Sequence, residues 1–152
     1  MSNAPHLVPR SRTGIKLGDG KLVDSILCDG LVDAFDRHHM AQTAEVLAAK
    51  YAISREAQDG FAAESQRRYE VARQQGAFGD ELVGHQRLAG DEHPRSDTTM
   101  ESLAELKPAF DPAGTVTAGN ASGINDGAAL LLLANRETAE ANEWPILAVI
   151  ER

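Results

Sequence analysis

The sequence of 152 residues suits one domain of ordinary size, and its 42% hydrophobic and 25% charged residues are normal for a globular protein. The net charge is −8 and the basic residues are scattered, so we expect no binding to a nucleic-acid backbone. No apolar run reaches the length of a membrane span. The single cysteine, Cys28, cannot form an internal disulfide, which favours a reducing, cytoplasmic compartment.

The first half of the chain predicts an arm followed by helices. Residues 1–20 are rich in prolines and glycines and predict an extended arm. The mixed spacing of apolar residues in 21–35 predicts a short helix and then a turn. Between Thr43 and Tyr51 the apolar residues recur at helical spacing, which predicts a helix with one apolar face.

A second helix is expected to begin at Ser54, whose hydroxyl can cap it, and to stop at Gly76. The stripe predicted for this helix consists of Phe61, Ser65, Tyr69 and Ala72. Residues 81–88 predict a short strand and residues 89–99 a surface loop. Thr98 or Thr99 is expected to cap a short helix that runs to about Leu106.

The end of the chain predicts a strand, a helix and a second strand. The apolar run 128–133 is typical of a buried strand, 137–144 of a short helix, and 146–150 of another buried strand. Strands joined through a helix pair in parallel. A strand so close to the chain end needs neighbours for its backbone groups, and we interpret this as a first sign of truncation.

The segment from Gly114 to Gly127 has the most unusual composition, with four glycines and two asparagines among small and β-branched residues. Glycine lets the backbone approach another group closely. Taken alone, the segment is either a tight structural connection or a set of backbone N–H groups for an anionic or amide-rich ligand.

Most other candidate sites have a simpler structural explanation. Cys28 is followed by acidic residues, which raise a thiol pKa, so we do not expect a nucleophile. Adjacent His38 and His39 point in different directions and make no metal pair, although one of them beside Met40 suits a pocket wall. The acidic residues at positions 24, 29, 33 and 36 fit either acid–base catalysis or a solvated face, and we favour the face.

The glycine-rich segment, continued to Ala128, resembles the signature segment of the thiolases over a long ungapped stretch. Other stretches that resemble the family in the same order are 2–6, 14–18, 22–35, 39–45, 54–62 and 106–110. The resemblance implies an α/β fold: a partial thiolase fold with a helical loop domain and a few strands of the layered core sheets. It divides the chain into a tetramerisation-loop-like arm (1–20), a coenzyme A-binding loop domain (21–113) and the start of the second core half (114–152).

The resemblance implies a role in acyl transfer between coenzyme A thioesters, with acetyl-CoA or acyl-CoA as substrate, no separate cofactor and no metal. The family's catalytic cysteine and its Gly-His-Pro, Asn-Glu-Ala-Phe and second-cysteine motifs are absent from this sequence. We therefore predict no catalytic residue here. Full-length relatives are expected to be homotetramers or homodimers.

By position, the resemblance implies nine residues that contact coenzyme A. They are Leu31, His39 and Met40 along the pantetheine channel, Arg95 at the adenine and phosphate end, Ser102 and Phe110 at the flanks, and Ala118, Ser122 and Ile124 from the glycine-rich segment. The sequence departs from the family at three places: it is shorter between His85 and Arg95, His38 replaces an uncharged residue, and Ala41 replaces a glycine.

Three hypotheses follow for the function. The first is a thiolase fragment, of the acetyl-CoA acetyltransferase or 3-ketoacyl-CoA thiolase type, that is inactive alone. The second is a coenzyme A-binding module that is non-catalytic or pairs with separately encoded parts. The third is a helical interaction domain built on residues 43–75.

Overall fold

The computed structural model describes residues 1–85, 87–88 and 90–151. In chain order its elements are β1 (His6–Leu7), β2 (Val23–Asp24), a wide helical turn (Ile26–Leu31), α1 (Met40–Lys50), α2 (Arg55–Gln74), α3 (Met100–Ala104) and α4 (Arg136–Ala141). The helices predicted from the sequence are all present within a few residues of their expected bounds. Among the described elements, α2 and α3 share the most extensive contact.

Local capping explains where the two long helices begin. The Nδ1 atom of His39 accepts the N–H of Ala41 at 3.1 Å, and the Gln42 side chain accepts the N–H of His39 at 2.9 Å. This reciprocal cap starts α1 three residues before the predicted Thr43. The Ser54 hydroxyl accepts the N–H of Ala57 at 3.1 Å and caps α2 as predicted.

The ends of α2 and α3 also follow their sequence signals. Gly76 has a φ of +70° just after α2, a conformation that suits glycine and ends a helix. The side chains of Thr99 and Ser102 form a reciprocal cap at the start of α3. The predicted capping of the third helix is thereby confirmed, with Thr99 rather than Thr98 as the cap.

The predicted stripe on α2 is not the buried face of this helix. The Phe61 side chain is 79% exposed, whereas Asp59 is only 2% exposed. Apolar spacing failed here because the helix packs through a buried carboxylate and its hydrogen bonds rather than through its largest ring. A polar partner on another segment decided which face is covered.

The first seven residues of the arm are held at two places. Strand β1 pairs antiparallel with β2, with His6 opposite Asp24. The Ser2 hydroxyl donates a hydrogen bond of 2.6 Å to Asp126, at the end of the glycine-rich segment. In the wide helical turn, the N–H of Val32 donates to the Leu27 carbonyl, five residues earlier.

Three predicted strands are not formed in the described residues. Residues 81–85 and 87–88 contain turns and one bridge between His85 and Leu88 instead of a strand. The runs 128–133 and 146–150 have no strand pairing and are exposed; Leu130 is 97% and Leu147 94% exposed. A strand needs a partner for its backbone groups, and the described part of the chain offers none at these positions.

Candidate functional site

The glycine-rich segment is held by a carboxylate from α1. One oxygen of Glu45 accepts the N–H groups of Thr115 and Val116, each at 2.7 Å. The other oxygen accepts the Thr115 hydroxyl at 2.8 Å. Burial pushes the pKa of Glu45 upward, but these hydrogen bonds from Val116 and Thr115 outweigh it and place the pKa below its ordinary value of 4.5. The ionised carboxylate thus fixes the start of the segment to α1.

A second carboxylate, from α2, holds the other end of a turn that residues 115–120 of this segment form. Asp59 accepts the side-chain N–H of Asn120 at 2.9 Å with one oxygen and the Arg55 guanidinium at 2.7 Å with the other. Asn120 also accepts the N–H of Thr117 at 2.8 Å and donates to the Thr115 carbonyl at 3.0 Å. Every polar group of the Asn120 side chain therefore has a partner, which fixes the shape of residues 115–120.

Arg55 connects this hydrogen-bond network to α3. Its terminal nitrogen donates to the backbone carbonyls of Leu103 at 2.6 Å and Leu106 at 3.0 Å. Gln58, one turn further along α2, donates to the Thr115 hydroxyl at 2.9 Å. Helices α1, α2 and α3 and the glycine-rich segment are therefore joined by one set of hydrogen bonds.

The glycines of this segment allow close packing rather than unusual backbone angles. A Cβ on Gly119 would collide with the side chains of Leu103 and Leu106. A Cβ on Gly123 would collide with the His93 ring. These contacts favour the tight structural connection that the sequence left open as one alternative.

The first group of predicted ligand residues gathers around one aromatic contact. The rings of His39 and Phe110 lie 4.7 Å apart at a tilt of 30°. Val32, next to Leu31, forms a bridge with His39, and Met40 follows His39 at the start of α1. Because Nδ1 of His39 accepts an N–H, this orientation assigns its proton to Nε2. That nitrogen remains a donor.

The second group lies along the glycine-rich segment beside Phe110. The N–H of Ala109 donates to the Val116 carbonyl at 2.9 Å, and Pro108 forms a bridge with Thr117. Val116 and Thr117 are buried, whereas Ala118 is exposed. Ser122 and Ile124 are exposed further along the segment. The chain therefore buries one side of this segment and leaves the three predicted residues accessible.

The two remaining predicted residues lie next to side chains that touch this segment. Ser102 precedes Leu103, which packs on Gly119, and its hydroxyl donates to the Thr99 carbonyl at 2.9 Å. Arg95 follows the loop whose His93 packs against Gly123, and its N–H donates to the Gln66 side chain on α2 at 2.9 Å.

Two clefts of the described residues lie away from the predicted ligand residues. One cleft of about 830 Å³ is lined by the end of α2 and the loop after it, including Tyr69, Arg73 and Phe78. A second, of about 420 Å³, lies against α2 near Met100. None of the nine predicted residues lines either cleft. The predicted set is therefore separate from these two clefts.

Cys28 has the environment that the sequence indicated. Its thiol donates to Asp29 at 3.0 Å, and this hydrogen bond, together with desolvation and the negative charge of Asp29, raises the thiol pKa. Asp24 and Asp33 accept backbone N–H groups within their own turns.

Within residues 1–85, 87–88 and 90–151, no group of three or more metal-ligating side chains lies close enough to hold an ion. The described helices include none that is long and apolar enough to cross a membrane.

The residues that organise the site were missed by the sequence analysis. Glu45, Asp59 and Asn120 hold the segment, yet none was singled out. The spacing of Arg55 and Asp59, four positions apart, was a visible sign of an ion pair. No pattern in the sequence pointed from either helix to Asn120.

Helices joined to a small sheet and to an anchored glycine-rich segment make this a partial α/β fold. Residues 1–137 match the family model of the thiolase N-terminal domain, so the chain belongs to the thiolase family. The resemblance noted in the sequence is thereby confirmed.

Relatives and solved structures agree with this assignment. The chain is 50% identical over 159 aligned residues to an acetyl-CoA acetyltransferase from Pseudomonas aeruginosa, covering 99% of this chain and 40% of the relative. It resembles the human mitochondrial 3-ketoacyl-CoA thiolase solved with CoA, with a TM-score of 0.75, 46% identity, and coverage of 81% and 32%. The Bacillus anthracis acetyl-CoA acetyltransferase gives a TM-score of 0.76, 40% identity, and coverage of 93% and 38%. The chain thus spans about 40% of the length of the curated relative.

Proposed function

We propose that this chain contributes the coenzyme A-binding part of a thiolase-type acyl-CoA:acetyl-CoA C-acyltransferase, with acetyl-CoA or another acyl-CoA as substrate. The observation that carries the proposal is the continuous run of contacts around the glycine-rich segment. His39 stacks on Phe110, and the backbone beside Phe110 pairs with the segment that exposes Ala118. A relative solved with CoA supports the same ligand. In this proposal the chain acts in the cytoplasm, within a homotetrameric or homodimeric assembly of full-length chains.

The chemistry of this surface suits a long, thin ligand that contains amides. Small side chains at Ala118 and Ser122 leave room for the pantetheine arm, and Ile124 and Met40 offer apolar contact. The Nε2 proton of His39 supplies a donor for a carbonyl or a phosphate oxygen. Arg95 is the cation that we assign to the phosphate end.

Acyl transfer by this family's covalent route needs a nucleophile, which we do not assign to any residue of this chain. A thiol whose pKa is raised by Asp29 is a poor nucleophile at neutral pH. We therefore expect no thiolysis by the purified chain. Turnover that disappears in Cys28→Ala would overturn this part of the proposal.

The binding proposal is tested by calorimetry with coenzyme A and with pantetheine, which lacks the phosphates. We expect saturable binding of both ligands and a loss of both in Ser122→Arg, since the new side chain would cover the pantetheine surface. Ser65→Arg, on the exposed face of α2, is the matched control and should bind normally. Arg95→Ala should weaken coenzyme A about tenfold and leave pantetheine unchanged. If the unmodified chain binds neither ligand, the proposal is wrong.

A further inference from the structure

The turn formed by residues 115–120 is fixed at both ends by carboxylates from different helices. Glu45 of α1 holds the N–H groups of Thr115 and Val116. Asp59 of α2 holds Asn120. The short loop 51–54 joins the two helices, and each helix contributes one of the carboxylates, so both helices hold the turn.

Burial shows that this arrangement presents one residue to solvent. Thr117 is completely inaccessible and Val116 is 6% exposed, whereas the next residue, Ala118, is exposed. The next residue, Gly119, packs against the Leu103 side chain, which leaves no space for a Cβ. The position of Ala118 is therefore set by its buried neighbours and by the two carboxylates that hold them.

We propose that Glu45 and Asp59 are positioning residues for coenzyme A, which hold the 115–120 turn so that Ala118 and the residues after it meet the pantetheine arm. This inference rests on the proposed function. In this proposal each carboxylate acts through the backbone or through Asn120 and not by contact with the ligand. A carboxylate suits this role because, when ionised, it accepts hydrogen bonds from several N–H groups at once.

Both carboxylate oxygens of Glu45 accept hydrogen bonds from the glycine-rich segment. Its two oxygens accept three hydrogen bonds, all from Thr115 and Val116. An alanine at position 45 would leave two backbone N–H groups without an acceptor, and a glutamine would keep one oxygen for them. The two substitutions therefore remove the contact to different degrees with little change in the helix.

The test compares Glu45→Ala, Glu45→Gln and Thr115→Val with a matched control, Glu64→Ala. Glu64 is also a helical carboxylate, but the partners that it has among the described residues, Arg67 and Arg68, lie on its own helix. Pantetheine and coenzyme A affinities are measured by calorimetry at a temperature where far-UV circular dichroism shows each variant folded. Amide hydrogen exchange of Thr115 and Val116 is measured on the same samples.

We expect Glu45→Ala to weaken both ligands by about tenfold or more and to speed exchange of the two amides by a similar factor. Glu45→Gln should recover most of the affinity, and Glu64→Ala should match the unmodified chain. Thr115→Val keeps the backbone donors and should show a smaller loss of affinity. It replaces Glu45→Ala as the test if that variant does not fold. A residue that only stabilises the fold would leave the affinity of folded samples unchanged.

The failures of the two proposals can be told apart. If the unmodified chain binds pantetheine and Glu45→Ala binds it equally well, the positioning role is wrong and the binding function stands. If the unmodified chain binds neither ligand, the binding function fails, and the positioning role fails with it.

Discussion

Asp59 and Asn120 are joined by a side-chain hydrogen bond of 2.9 Å although they lie 61 positions apart in the sequence. Asp59 is almost completely buried, and Asn120 completes its bonds with the backbone of its own segment. A buried carboxylate is tolerated only when it is paired and hydrogen-bonded. This pair therefore connects the packing of α2 directly to the shape of the glycine-rich segment.

Asn120→Ala should destabilise the chain by about 2–3 kcal/mol, because it leaves the N–H of Thr117 and one oxygen of Asp59 without a partner. Urea unfolding followed by circular dichroism measures the change. Asn142→Ala is the matched control, since in the described part of the chain that amide donates to the Thr138 carbonyl one turn earlier on α4 and joins no distant segment. Equal effects for the two substitutions would contradict the network.

Arg55→Ala should cost about 3 kcal/mol, since it leaves the buried Asp59 without its cation and frees two carbonyls near α3. Arg67→Ala, which breaks an exposed pair with Glu64, should cost less than about 1 kcal/mol. Both are compared by urea midpoint at the same salt concentration. A loss below 1 kcal/mol for Arg55→Ala would show that the Asp59 pair contributes no more than a surface pair.

Gly119→Ala tests the close packing of the glycine-rich segment on α3. The added Cβ would collide with the terminal methyl groups of Leu103 and Leu106. Leu103 is only 3% exposed and its methyl group has little room to move, so we expect overpacking to cost about 1–3 kcal/mol. Gly84→Ala is the control, because nothing lies within 4 Å of the Cβ that it adds. Thermal unfolding of both variants measures the difference. A neutral Gly119→Ala would mean that the segment does not lie against these leucines.

The sequence predicted features that depend on interactions between residues close together in the chain, and it missed those that depend on distant partners. The starts of α2 and α3 depend on Ser54 and Thr99, whose capping bonds span three residues, and both were predicted. The burial of Asp59 depends on a partner far along the chain and was missed. The run 128–133 has a strand-like composition, but composition cannot supply a pairing strand. The thiolase assignment succeeded because it came from a whole motif rather than from local propensity.

The candidate site was less accessible from residue patterns than the fold. His39 and Phe110 lie 71 positions apart, and no spacing rule links them; they were named through the family resemblance and are in ring contact here. Whether the nine residues bind coenzyme A stays a prediction. The side chains that shape the surface, Glu45 above all, are visible only once the chain is folded.

The stabilisation from Glu45 should disappear in acid. The pKa of Glu45 in the folded chain is below its ordinary value of 4.5, so the folded state binds fewer protons than the unfolded state near that pH. The contribution is therefore fully present above about pH 4.5 and is lost as the pH falls through the lowered pKa.

Urea unfolding of the unmodified chain and of Glu45→Gln, from neutral pH down to about pH 3, measures this contribution as a difference. The other acidic groups are common to both chains and cancel, including Glu64 and Glu70, whose arginine partners lower their pKa values to about 2. We expect the difference in unfolding free energy to shrink below pH 4.5. A difference that stays constant with pH would contradict a titrating Glu45.

Leu131→Lys tests the exposed apolar run that the sequence predicted as a buried strand. Leu131 is 83% exposed, so its replacement should change the free energy of unfolding by no more than about 0.5 kcal/mol. Leu103→Ala is the contrasting variant: Leu103 is 3% exposed, and its truncation should cost about 2–5 kcal/mol. Because an exposed run of leucines promotes association, Leu131→Lys should also raise the concentration at which the chain aggregates, measured by light scattering. A loss above 1 kcal/mol in Leu131→Lys would show that this run is packed in solution and would restore the strand predicted from its composition.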